Sequence, residues 1–180
     1  MSDSSRPVRP LPVRLERLGP DDWPRWREIR LAALRNAPTA FGSSSEREER
    51  RTGEEWRAWL APDRGLTVLA VDDGGRPVGL VGGYRPAELP DAVELVSMWV
   101  APSARGRGIG DLLVREVVAW AREEGAAEVL LWVTRANEVA HALYERHGFR
   151  DTGDEKPLPS HPCVSETAMR LVLAQRAAAR

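Results

Sequence analysis

One stretch of this chain has residue types and spacing suited to holding an anion. Val100-Ala101-Pro102-Ser103-Ala104-Arg105-Gly106-Arg107-Gly108-Ile109-Gly110 runs from an extended apolar segment into a long amphipathic one. Glycines remove side chains from a turn, so consecutive backbone N–H groups can face a single phosphate. The helix that follows adds the partial positive charge of its N-terminus. Arg105 and Arg107 can add longer-range attraction, and a pyrophosphate suits such a loop. A glycine-rich turn that merely starts a helix is the plain alternative. The loop lacks the Gly-Lys-Ser/Thr end of a P-loop. Its glycines fall at 106, 108 and 110, one position away from the G-x-G-x-x-G dinucleotide fingerprint.

A second candidate is Glu94, a carboxylate interrupting the apolar run Ala92 to Val100. Strand periodicity predicts Glu94, Val96, Met98 and Val100 on one face. A partly buried carboxylate suits a general base near neutrality, and a solvent-facing strand residue is the alternative. Tyr144 lies on a helical pattern and by position packs beside Ala140 and His147. Its neutral phenol can also donate a proton. Asn137 precedes that helix and reads as its cap. His147 reads as a dipole partner at the helix end, or as an alternative acid or base. His141 reads as surface or packing.

The elements that must position these residues follow from periodicity and punctuation. Val13 to Leu18 alternates as a strand. Asp21-Asp22 caps a helix with Pro24 in its first turn, and Trp23, Trp26, Ile29, Ala33 and Leu34 form its stripe until Pro38 stops it. Ala37 to Gly42 reads as a loop and Ser43 to Arg51 as a charged stretch. Thr52 and Glu55 are spaced as a capping box for a helix to Leu60. Leu66 to Val71 and Pro77 to Tyr84 flank the turn signal Asp72-Asp73-Gly74-Gly75. Ala92 to Val100 completes a meander. A helix to Glu124 carries Ile109, Leu112, Leu113, Val117 and Trp120 as its apolar stripe, ended by Gly125. Glu128 to Thr134 is a strand, Glu138 to His147 a helix, and Ser165 to Leu173 the last strand. The predicted fold class is α/β with a mixed sheet, an antiparallel meander followed by β-loop-α-β-α-β. One domain over residues 11–174 is expected, with tails at 1–10 and 175–180.

Composition agrees with one soluble domain. The chain has 180 residues, 29% charged and 42% hydrophobic, with a formal net charge of -1. No strongly basic balance suggests nucleic acid. No run approaches a membrane span, and no apolar core of a leader is seen, so a cytoplasmic location is expected. Cys163 is the single cysteine. It cannot form an internal disulfide, and with His161 it falls short of a metal ligand set, so no metal is expected.

Together the loop and the segment after Asn137 resemble a known family, the GCN5-related N-acetyltransferases (GNAT). The family's cofactor loop, Arg/Gln-x-x-Gly-x-Gly/Ala, is matched by Arg105, Gly108 and Gly110. Asn137 and Ala142-Leu143-Tyr144-Glu145-Arg146-His147-Gly148-Phe149 resemble its Asn…Ala-x-x-x-Tyr…Gly-Phe block. The resemblance implies the acyl-CoA N-acyltransferase fold and acetyl-CoA as co-substrate. It implies that backbone groups of Met98, Trp99 and Val100 hold the pantetheine arm. Residues Arg105, Gly106, Arg107, Gly108, Ile109, Gly110 and Asp111 would cradle the pyrophosphate, with Asn137 and Tyr144 also at the cofactor. Tyr144 becomes the expected general acid and Glu94 the expected base, as in the histone acetyltransferase branch. The expected reaction is direct acetyl transfer to a primary amine in a ternary complex, without an acetyl-Cys163 intermediate.

In the ribosomal-protein branch an acidic base stands where this chain has Trp132, which argues against a close copy of that branch. The expected acceptor is a small-molecule amine. A protein N-terminus or lysine is the alternative, and a non-catalytic acyl-CoA-binding sensor or partner subunit the alternative of another class. Homodimers are common in the family. The acceptor is expected among the first helices and late strands, with Ser160 to Val164 as a further acceptor loop. Trp23, Trp26, Trp56 and Trp59 could wall it, and Glu46, Glu48, Glu49, Glu54 and Glu55 could attract an amine. The plainer reading makes those tryptophans core and those glutamates a solvated face.

Overall fold

The structure is a computed structural model and describes residues 12–174. The tails expected at 1–10 and 175–180 lie outside these residues. The described chain runs β1 (Val13–Arg17), α1 (Trp23–Asn36), α2 (Ser45–Glu49), α3 (Gly53–Trp59), β2 (Leu66–Asp72), β3 (Pro77–Tyr84), β4 (Ala92–Val100), α4 (Ile109–Glu123), β5 (Glu128–Thr134), α5 (Glu138–Arg146), β6 (Arg150–Leu158) and β7 (His161–Val172). The mixed α/β class expected from the sequence is therefore observed.

Local rules account for most boundaries. Asp22 precedes α1 and Pro24 sits in its first turn. In α3 the expected capping box forms: Thr52 Oγ1 accepts from the Glu55 N–H at 3.2 Å, and the Glu55 carboxylate accepts from the Thr52 N–H at 2.6 Å. Gly125 closes α4 with φ 69°. The buried stripe of α4 is Ile109, Leu113, Val114, Val117, Val118 and Ala121. Leu112, expected in that stripe, is an exposed flank residue and Trp120 is half-buried.

Seven strands form one sheet in the order β1-β2-β3-β4-β5-β7-β6. Every pair is antiparallel except β4 with β5. One face carries the core beneath α4, including Val68, Val93, Leu113, Val117 and Phe149. The other carries Trp26, Leu34, Trp56, Leu69 and Leu80 beneath α1 and α3. No described helix is long and apolar enough to cross a membrane.

Two irregularities shape the centre of the sheet. First, β4 and β5 pair only at Ala92–Glu128, Val93–Val129 and Glu94–Leu130. Both strands run on unpaired with each other, so the sheet splits into a wedge and leaves ladder positions of both strands open. Second, the β3–β4 register passes from Leu80–Trp99 to Gly82–Val96, three steps on β4 for two on β3. The extra residue is accommodated at Ser97, with φ 59°. This bulge overturns the single face expected for Glu94, Val96, Met98 and Val100. Met98 and Val100 pack toward α4 with Val93 and Leu95. Glu94 and Val96 face the opposite side, because an inserted residue inverts the alternation.

The last hairpin also differs from expectation. β7 begins at His161, so residues 161–164 are strand rather than acceptor loop. Leu158 pairs with His161 across a tight turn. Its tip is fastened to the α1–α2 connection, where Ser160 Oγ donates to the Phe41 carbonyl at 2.5 Å.

Candidate active site

The glycine loop is held from behind. The Ala101 N–H donates to the Val78 carbonyl at 2.9 Å, and Ala104 is buried. Arg105 folds back: Nε donates to the Val100 carbonyl at 3.0 Å and Nη2 to Asn36 Oδ1 at 3.1 Å. Trp99 Nε1 donates to the same Asn36 oxygen at 3.1 Å. Arg105 therefore braces the loop against α1 through neutral acceptors and keeps its charge. Arg107 has no ion pair among the described residues.

Gly106 and Gly108 adopt φ 71° and 79°, and a Cβ at either would meet nothing within 4 Å. No side chain caps the N-terminus of α4. Its first N–H groups and the open glycine faces therefore present donors and a positive dipole end without obstruction. This geometry fits a pyrophosphate. Ile109 is buried and anchors the helix start. At Gly110 a Cβ would come within 3.1 Å of the Leu143 side chain, so glycine lets α5 approach the loop closely.

Asp111 turns away from the loop, to His147 Nε2 at 2.9 Å and Arg146 Nη2 at 3.2 Å. Its burial opposes ionisation, but the His147 hydrogen bond and Arg146 prevail and hold its carboxyl below the ordinary range. As an anion engaged by α5, its carboxylate clamps two helices and is not turned to a phosphate.

Asn137 caps α5, its Oδ1 accepting from the Ala140 N–H at 3.2 Å. That leaves its amide donors for a ligand. Tyr144 lies about two turns further on, 5% exposed, its ring 5.8 Å from that of Phe149. No acceptor among the described residues takes its hydroxyl proton. Burial pushes the phenol well above its ordinary range, so it stays protonated.

Glu94 lies on the other side of the sheet, lining a cleft of about 710 Å³ under α1–α3 and the tip of the β6–β7 hairpin. Tyr84 Oη donates to Glu94 Oε2 at 3.0 Å. Neither Tyr144 nor the glycine loop lines this cleft. The structure thus places the expected base and acid on opposite faces of the sheet.

Three features of the cleft escaped the sequence reading. Glu166 on β7 is 7% exposed and faces it, with no hydrogen-bond partner among the described residues. Burial pushes its carboxyl up, the negative charge of Glu94 acts in the same direction, and Lys156 opposes both. Lys156 Nζ itself sits 3.8 Å over the Trp132 ring. Third, Arg30 and Glu48 form a buried pair at 3.0 and 2.8 Å, and Arg30 Nη1 reaches Ser97 Oγ at 3.2 Å. The bulge in β4 is thereby tied to α1 and α2.

The acidic cluster is mostly spent on structure: Glu48 on Arg30, Glu49 on Arg35, and Glu55 on the α3 cap. Trp26 and Trp56 are fully buried core, as the helical stripe implied, while Trp59 lines the cleft. Cys163 is exposed and His161 contacts Ser160.

Known proteins share the sequence pattern and the fold of this chain. Residues 23–149 match the model of the acetyltransferase (GNAT) family. A mycothiol acetyltransferase from Rhodococcus jostii is 32% identical over 136 residues, 73% of this chain and 43% of that protein. A GCN5-related N-acetyltransferase from Kribbella flavida is 28% identical with a TM-score of 0.68, covering 89% of this chain and 98% of that one. The structure of yncA from Salmonella typhimurium, solved with its cofactor acetyl-CoA, shares the fold with a TM-score of 0.73 at 18% identity, over 94% and 98% of the two chains. The chain spans less than half the length of several curated relatives it matches, 43%, 38% and 47% of three of them.

Proposed function

The chain belongs to the acetyltransferase (GNAT) family, and from that premise we propose that it moves the acetyl group of acetyl-CoA onto the primary amine of a small molecule. The observation that carries this reading is the wedge between β4 and β5, opening beside a glycine-lined, uncapped helix start. The pyrophosphate would lie on the N–H groups from Gly106 to Gly110, near Arg107. The pantetheine arm would run along the open edge at Met98 and Val100, and Asn137 would donate its amide.

The cleft on the far side of the wedge supplies the acceptor site, and its volume suits a small molecule better than a folded surface. An ammonium entering it loses a proton to Glu94, directly or through water, with Glu166 beside it. The neutral nitrogen bonds to the thioester carbonyl carbon as the carbon–sulfur bond breaks, and the nitrogen then sheds its second proton to water to leave the neutral amide. A backbone N–H near Met98 supports the carbonyl oxygen as it gains charge. Tyr144 gives its phenolic proton to the departing sulfur and recovers one from solvent. Transfer is direct, and Cys163 takes no part.

Tyr144→Phe tests the scheme. Turnover should fall by about 10²- to 10⁴-fold, while CoA affinity by calorimetry stays within about twofold, because a single edge hydroxyl is lost. Equal turnover in both proteins would remove Tyr144 from the reaction. CoA binding without turnover on any amine would favour a non-catalytic acyl-CoA-binding module.

A further inference from the structure

The acceptor cleft carries five cationic side chains, Arg30, Arg47, Arg51, Arg64 and Lys156, against four carboxylates, Glu48, Glu55, Glu94 and Glu166. Arg30 is neutralised by Glu48, and Glu55 is held by the α3 cap. Among the described residues Arg47, Arg51 and Arg64 have no ion pair, and neither do Glu94 and Glu166. A site built for a polyamine would show the opposite excess, because each ammonium needs a carboxylate or an aromatic face. This lining suits a molecule carrying charges of both signs.

Arg51 is the cation best prepared for an anion. Its guanidinium lies 4.9 Å from the Trp59 ring centroid and 5.8 Å from that of Trp56, so stacking fixes its plane. Its Nε is buried and finds no acceptor, and Ser43 Oγ, in the same cleft, is likewise buried and unpartnered. Buried donors without acceptors are rare because they forfeit hydration. A carboxylate matches the fork of a guanidinium in charge and in geometry.

We propose that the acceptor is an amino carboxylate of the α-amino acid class, its carboxylate on Arg51 and its amine toward Glu94 and Glu166. The proposal rests on the acetyl-transfer reading above and names the substrate class of that same site. It also gives the cleft's cations a use, since positive groups near the amine would otherwise favour the reactive neutral form while weakening binding of the ammonium.

The test compares three matched series on the wild-type protein: free α-amino acids, their α-amides, and the corresponding decarboxylated amines. Binding is read by calorimetry in the presence of CoA, and turnover by thiol release from acetyl-CoA. At least one amino acid should bind and react with kcat/KM about 10- to 100-fold above its amide and decarboxylated amine. Arg51→Gln should raise KM for that amino acid by a similar factor with kcat little changed, and Arg51→Lys should recover part of it. Decarboxylated amines reacting as well as amino acids, with KM indifferent to Arg51, would overturn the proposal and leave acetyl transfer standing. Amino acids that bind through Arg51 without being acetylated would support the site and contradict the transfer reading. An entire amino acid series that neither binds nor reacts would overturn the proposal, whatever Arg51 variants do.

Discussion

Glu48→Ala should be among the most destabilising single changes on the acceptor side. The Arg30 and Glu48 side chains are 6% and 1% exposed and share two hydrogen bonds at 3.0 and 2.8 Å. Removing the carboxylate leaves a guanidinium in a pocket of Phe41 and Trp59 rings, with Ser97 Oγ as its remaining polar contact. Breaking a buried pair from one side costs about 3–5 kcal/mol. For a chain of this length that lowers Tm by roughly 6–20 °C. Urea denaturation of Glu48→Ala, of Arg30→Met, and of Arg30→Met/Glu48→Leu would measure the cycle. The double variant should be more stable than Glu48→Ala, since an apolar replacement leaves no stranded charge. It should nevertheless raise KM for acetyl-CoA, because the β4 bulge loses its tie to α1. A loss below about 1 kcal/mol in Glu48→Ala, the range of exposed pairs, would mean that the pair is solvated. An unchanged KM in the stabilised double variant would separate the pair from the bulge.

Two further outcomes are expected. Gly108→Glu places a carboxylate at the helix start and a Cβ in the left-handed region, at φ 79°, and should weaken CoA binding by at least about tenfold in calorimetry. Gly153→Glu imposes comparable strain, at φ 84° in open space on β6, and should leave it unchanged; equal losses in both would assign the effect to strain alone. The raised Glu166 carboxyl makes the folded protein hold a proton that the unfolded chain has released, so its contribution to stability falls as pH rises above the ordinary carboxylate range. Glu166→Gln should therefore be more stable than the wild type at neutral pH, the gap closing below pH of about 4. A gap independent of pH would contradict a buried, ionisable Glu166.

Much of this arrangement was legible in the sequence because it rests on local rules. The spans Pro77–Tyr84, Ala92–Val100 and Glu128–Thr134 match their strands residue for residue, since apolar runs between turn signals leave little choice. The capping box at Thr52 and the glycine stop at 125 are equally local. The errors arise from tertiary context. Strand periodicity assumes no inserted residue, and Ser97 violates it, so Glu94 and Met98 part company. The side-chain contacts of Arg105 and Asp111 were not legible either, because their partners Asn36, Arg146 and His147 lie far away in sequence. The sequence signal for Glu166 was of the same kind as for Glu94, one carboxylate in an extended segment. It was passed over because only the β5–β7 pairing and the hairpin tip bring β7 beside the cleft.

The activity proposed for this chain is acetyl transfer from acetyl-CoA to an amine. It is tested most directly by thiol release from acetyl-CoA over a panel of amino acids, polyamines, aminoglycosides and peptides, with mass spectrometry of the products. The expected result is thiol release that depends on one class of amine and yields its N-acetylated product. Binding of acetyl-CoA with no N-acetylated product from any amine in the panel would contradict the claim.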